Sequence, residues 1–116
     1  MKKIVSLLII IVLLASCNEY QKALKSEDPA LKLAMATKMY EAKNYNKAIR
    51  IFEQIASVYR GKPESENLYY MFSQSYYKTK QYYLAGYQFE SFVSSFPKSD
   101  KVQEASFLGA KSYSML

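Results

Sequence analysis

The amino-acid sequence predicts an all-α protein in which helical hairpins stack side by side as a short solenoid. Three observations predict it. The chain matches itself at a spacing of 37 residues: Tyr40 with Tyr77, Lys43 with Lys80, Tyr45 with Tyr82, Ala48 with Ala85, Phe52 with Phe89 and Glu53 with Glu90. Self-similarity at such a period marks stacked units, each burying its apolar face against its neighbours. Within each unit, small and aromatic residues recur at helical spacing, as in Tyr45, Ala48 and Phe52 and again in Tyr82, Ala85 and Phe89. Small residues let two helices approach, and rings fill the gap beside them. Finally, 50% of the residues are apolar and 22% charged, a globular rather than a disordered balance.

The elements follow in order. Met1, Lys2 and Lys3 form a short positive segment. Ile4 to Ala15 is an apolar stretch of 12 residues broken only by Ser6. A membrane-spanning helix needs about 20 apolar residues, whereas a signal-peptide core needs about 7–15. The stretch closes on Leu14-Ala15-Ser16-Cys17, which resembles the lipobox of bacterial lipoproteins. Ala15 and Ser16 are small enough to admit a peptidase, and the Cys17 thiolate can carry a diacylglycerol. Cleavage before Cys17 frees an amine for a further acyl chain, and several chains anchor stably where one is marginal. Residues 1–16 are therefore expected to be a lipoprotein signal peptide, with Cys17 the lipidation site. Asn18 stands where Asp favours inner-membrane retention in many Gram-negative lipoproteins, so by that resemblance it favours the outer membrane. No acidic cluster follows the cysteine in Asn18 to Lys22, which points to a protein facing the periplasm.

Residues 17–27 read as the lipidated cysteine and a polar tether. Asp28-Pro29 then gives a helix N-cap followed by proline at the first helical position, opening a repeat region over residues 28–116. The pattern resembles tetratricopeptide repeats. Ala36 takes the small position of the first helix A; Tyr45, Ala48 and Phe52 take the signature positions of helix B. Ser73, Tyr76, Tyr82, Ala85, Phe89, Phe92 and Pro97 follow in the second repeat. Lys32 and Tyr69 replace the usual first signature residue, and the period exceeds the common 34. Asp100 with Gln103 has capping-box spacing for a third helix A, in which Gly109, Ala110 and Tyr113 align with Phe72, Ser73 and Tyr76. About two and a half repeats are expected. The want of a closing helix after Leu116 predicts the N-terminal part of a longer protein, because solenoid ends need polar caps.

Composition excludes much chemistry. One Cys cannot form an internal disulfide, and the absence of His removes the usual zinc sites, His-based acid–base catalysis and His-containing triads. The three glycines are isolated, so no phosphate-cradling loop exists. No catalytic residue, no metal and no cofactor are expected, and the protein is not expected to be an enzyme. The formal charge of +6 is spread without a basic run, so no nucleic-acid partner is expected.

Tetratricopeptide arrays take extended peptides on the concave face of their A helices. Helical register puts Leu33, Thr37, Tyr40 and Glu41 there from the first repeat, Asn67, Tyr70, Gln74, Tyr77 and Lys78 from the second, and Phe107 and Lys111 from the third. The candidate peptide-binding residues are Thr37, Tyr40, Tyr70, Gln74, Tyr77 and Lys78: rings for side chains, polar groups for backbone. Packing of Tyr40 and Tyr77 between repeats is the alternative reading of those two rings.

A lipobox followed at once by such repeats, with Tyr-Xaa-Xaa-Ala in each helix B, resembles the BamD family. Gln88-Phe89-Glu90-Ser91-Phe92 and Phe96-Pro97-Lys98-Ser99 are similar to the family's second repeat. The resemblance implies a non-catalytic, periplasm-facing subunit of the outer-membrane β-barrel assembly machinery. Its implied partners are a BamA-like barrel subunit, other assembly subunits, unfolded outer-membrane proteins and, through the lipid, the membrane. It also implies that substrate recognition belongs to the N-terminal repeats and BamA docking to later ones. The alternative is a tetratricopeptide lipoprotein scaffold serving peptidoglycan synthesis or glycan uptake.

Overall fold

The computed structural model describes residues 17–116 and Ile4. The signal peptide expected over residues 1–16 lies, Ile4 apart, outside the described residues. The described residues 17–25 are helical and belong to α1. Five further helices follow: α2 Pro29–Glu41, α3 Tyr45–Ile55, α4 Ser65–Lys78, α5 Tyr82–Ser95 and α6 Val102–Ser114. Among the described residues there is no strand. Helices α2 and α3 form the first hairpin, α4 and α5 the second, and α6 is the first helix of a third unit. The A helices α2, α4 and α6 make contact in a row, and each following helix packs on its predecessor.

Asp28 caps α2 as expected: its backbone is extended and its carboxylate accepts the Ala30 N–H at 3.0 Å, with Pro29 opening the helix. The helix ends through Lys43, which sits at φ 63°. The Asn44 N–H then reaches back to the Met39 carbonyl at 2.8 Å, the bond pattern of a left-handed helix terminator. The second hairpin repeats the device with Lys80 at φ 64° and the Gln81 N–H on the Tyr76 carbonyl at 2.9 Å. The ring pairs repeat too. Tyr40 meets Tyr45 edge-on with centroids 5.8 Å apart, and Tyr77 meets Tyr82 edge-on at 5.9 Å. The core follows the sequence pattern: Ala36, Ala48, Phe52, Ala85 and Phe89 are all fully buried.

Two expectations are corrected. The polar tether over residues 17–27 is instead helical from 17 to 25, and Tyr20 and Ala23 are buried in the core. Tyr20, Ala23 and Leu24 fall at i, i+3 and i+4, an apolar stripe that the polar average of the segment hides. Lys47 lies over the Tyr20 ring, and the Lys32 ammonium donates to the Leu24 carbonyl at 3.0 Å. The Asp100–Gln103 capping box is also not formed. The Ser99 hydroxyl accepts the Lys101 N–H at 3.1 Å, which keeps Asp100 in a turn and delays α6 to Val102. Lys101 occupies the cap position without a side-chain bond.

The joints between hairpins differ in substance. Between α3 and α4, the Phe72 ring lies against Phe52 at 5.8 Å and is backed by Tyr76 of its own helix at 4.8 Å, while the Tyr69 hydroxyl donates to the Ala56 carbonyl at 2.8 Å. Between α5 and α6, Gly109 and Ser106 stand in the places of Phe72 and Tyr69. A Cβ at Gly109 would lie 3.1 Å from Phe89 Cβ and 3.8 Å from the Gly86 carbonyl oxygen, so the two backbones face each other directly. A Cβ at Gly86 would lie 2.8 Å from the Tyr113 ring, which rests on that glycine. One bond is common to both joints. The Tyr76 hydroxyl donates to Glu53 at 2.9 Å, and 37 residues later the Tyr113 hydroxyl donates to Glu90 at 3.3 Å.

Candidate peptide-binding face and lipid anchor

Register aligns one column of equivalent side chains on the three A helices: Leu33, Tyr70 and Phe107. Leu33 and Tyr70 are half-buried, whereas Phe107 is 64% exposed. Beside it run Thr37, Gln74 and Lys111, again 37 residues apart.

Tyr70 is the centre of a network. Its ring packs on Phe92 with centroids 5.7 Å apart, which fixes its place above α5. The Gln74 amide donates to the Tyr70 hydroxyl at 2.9 Å and to Glu104 of α6 at 3.3 Å. The Lys101 ammonium stands 4.6 Å above the Tyr70 ring and donates to Asn67 at 3.3 Å. A cation over a tyrosine face is held by the ring quadrupole. Burial and then the hydrogen bond to Glu104 push the Tyr70 phenol up to about 12. Burial first, then Tyr45 and the Glu104 charge, raise Tyr40 as well. Both phenols therefore remain neutral hydroxyls at ordinary pH.

The structure thus brings Tyr40, Tyr70 and Gln74 together around Glu104. Gln74 is only 7% exposed, and its amide is spent on Tyr70 and Glu104. It positions Tyr70 rather than offering its amide to an incoming chain. The Thr37 hydroxyl turns inward to the Leu33 carbonyl at 2.8 Å. Tyr77 packs on Tyr82 at the hairpin turn, and Lys78 is exposed beside it. Among the described residues no hydrogen bond joins Tyr77 or Lys78 to the Tyr70 network. Lys101 and Glu104 belong to the Tyr70 network and are not among the candidates that the sequence offers. Register carried a signal for Glu104, which stands 37 residues after Asn67, a residue that register does place on this face.

Cys17 is exposed in α1, three residues before buried Tyr20. Stacked helical hairpins define a helical-repeat protein, with one exposed cysteine ahead of the array. The family model for outer membrane lipoproteins of the YfiO type matches residues 27–115, the whole array, and that for the prokaryotic membrane lipoprotein lipid attachment site matches residues 1–18. The chain belongs to the YfiO family of outer membrane lipoproteins, the BamD family. No curated protein and no solved structure matches it.

Proposed function

We propose that this lipoprotein is a non-catalytic subunit of the outer-membrane β-barrel assembly machinery, anchored in the outer membrane and facing the periplasm. In this reading its concave face receives extended segments of unfolded outer-membrane proteins. The observation that carries the proposal is the column Leu33, Tyr70, Phe107 across three adjoining A helices, flanked by Lys101 and Lys111. Neighbouring helices lie roughly 8–10 Å apart, a gap that long side chains spaced by the roughly 7 Å between same-face residues of an extended chain can bridge. A strand with recurring aromatic residues can therefore set rings against successive members of the column. Each ring pair contributes about 0.5–1.5 kcal/mol, which gives weak, reversible capture suited to passing a substrate on. A BamA-like barrel subunit and other assembly subunits are the protein partners of this reading.

The test is a titration with a C-terminal β-strand peptide of an outer-membrane protein, read by fluorescence anisotropy. The variant Tyr70→Ala, Phe107→Ala is expected to bind roughly tenfold more weakly, about 1.4 kcal/mol, while keeping its helical circular-dichroism signal. Unchanged affinity in that variant places the peptide elsewhere. No binding by the parent protein rejects the proposal and favours a scaffold role in peptidoglycan synthesis or glycan uptake.

A further inference from the structure

An apolar groove of about 400 Å³ runs along the seam between α1 and α2, lined by Glu19, Lys22, Leu31, Ala34, Met35 and Lys38. The four α2 residues fall at i, i+3, i+4 and i+7, one stripe of that helix. Leu31 is 48% exposed although its side chain is fully apolar. Lys22 and Lys38 stand on the rim with one acid, Glu19, which pairs with Lys38 at 3.2 Å.

The position of the acylated cysteine decides what covers this groove. Cys17 lies in α1, and three residues on Tyr20 is already in the core. At 1.5 Å of rise per residue, the lipidated residue lies about 5 Å along the axis from the first core residue. No flexible spacer separates the acyl chains from the folded array, so the bilayer surface lies close to the first turn of α1 and to the hairpin packed on it. Glu19 and Lys22 follow within five residues of the anchor along that helix. A surface of apolar side chains rimmed by lysines is what an interfacial helix presents to lipid, with the long stems reaching to the headgroups. The excess of lysine on the rim suits anionic headgroups.

We propose that the α1–α2 seam lies on the membrane surface, with Leu31 and Met35 against the acyl region and Lys22 and Lys38 among anionic headgroups. The lipid then does more than tether: it seats the first hairpin on the bilayer in one orientation, and the rest of the array follows as a rigid continuation. This rests on acylation at Cys17 and is independent of what the concave face binds.

The experiment uses the mature acylated protein in vesicles of phosphatidylethanolamine and phosphatidylglycerol. With Cys17 acylated, Leu31→Cys supplies the one free thiol for a polarity-sensitive fluorophore; Tyr83→Cys on the second hairpin, 65% exposed, is the control. Mass spectrometry verifies the acyl group, and circular dichroism verifies the fold. The label at position 31 is expected to shift to the blue and to be quenched several-fold more than that at position 83 by lipids carrying a nitroxide near the headgroup. Adding Lys22→Glu and Lys38→Glu should reduce that quenching while the protein stays on the vesicles. Equal quenching at positions 31 and 83, or protection of position 31 that depends on protein density rather than on lipid, overturns the proposal.

Discussion

Where α4 meets α3 the contact is made by rings; where α6 meets α5 it is made by glycines. The two joints occupy equivalent places in the repeat, yet Phe72 in one corresponds to Gly109 in the other, and Tyr69 to Ser106. What stays constant is the tyrosine–glutamate bond, Tyr76 to Glu53 and Tyr113 to Glu90. A directional bond fixes how one hairpin sits on the next, and the apolar filling around it is free to change. Close backbone approach and aromatic packing are two solutions to the same need to exclude voids.

The largest test of this contrast is Phe72→Ala. Removing a buried ring from the first joint is expected to cost about 3–5 kcal/mol, read from chemical denaturation. A cost below about 1 kcal/mol would show that the ring does not hold the joint. Gly109→Phe moves the ring of the first joint into the second. Its Cβ meets Phe89 Cβ at 3.1 Å with backbone close behind, so overpacking should cost about 1–3 kcal/mol. If that variant is instead more stable, the second joint has room for the first joint's chemistry and the contrast fails.

Smaller effects should come from the shared bond. Tyr76→Phe is expected to cost about 1 kcal/mol, and Tyr113→Phe less, because its bond is longer and its acceptor Glu90 is exposed. Equal costs would count against the geometric difference. Ionisation gives a related reading. Burial raises Tyr76, with the Glu53 hydrogen bond adding to it, and burial raises Tyr70 from an ordinary value of 10.0 to about 12. The folded state then holds protons that the unfolded chain has released. The associated stability is complete below about pH 10 and is lost as pH rises through the folded values, from about 10 to about 12 for Tyr70. Phenolate absorbance and the denaturation midpoint should move together in that window; a midpoint that stays flat there contradicts the assignment.

The smallest effect lies where the repeats agree. Lys43 and Lys80 hold left-handed backbone that glycine adopts freely. Lys43→Gly and Lys80→Gly should each stabilise by about 0.5 kcal/mol, the relief of backbone strain less the entropy of a freer unfolded chain. Opposite signs in the two variants would show that the turns are alike in shape alone.

The repeat was legible because its period appears in residue types that pack: Tyr40 and Tyr77, Ala48 and Ala85, Phe52 and Phe89 all keep equivalent places in the fold. Helix α1 was not, since its stripe of Tyr20, Ala23 and Leu24 spans little more than one turn among polar neighbours. The start of α6 lies later than the Asp100 cap because the Ser99 hydroxyl takes the Lys101 N–H and holds Asp100 in a turn. In the candidate site, register gave Tyr40, Tyr70 and Gln74. It could not show that Gln74 is covered, because that depends on how closely α6 brings Glu104. The lipid attachment motif was legible outright, since its chemistry depends on contiguous residues rather than on folding.

Among α2 to α6, no helix touches another more than two places along the chain. An array joined only to near neighbours closes no long loop as it folds, so the entropy cost of bringing distant segments together never accumulates, and rapid folding is the physical expectation. The first hairpin can form before α6 has been made. Loosening at the α6 end need not spread to α2, because each joint carries its own share of the stability. The molecule has no keystone: damage to one joint is local, and a single cooperative unit in the usual sense gives way to a row of coupled ones.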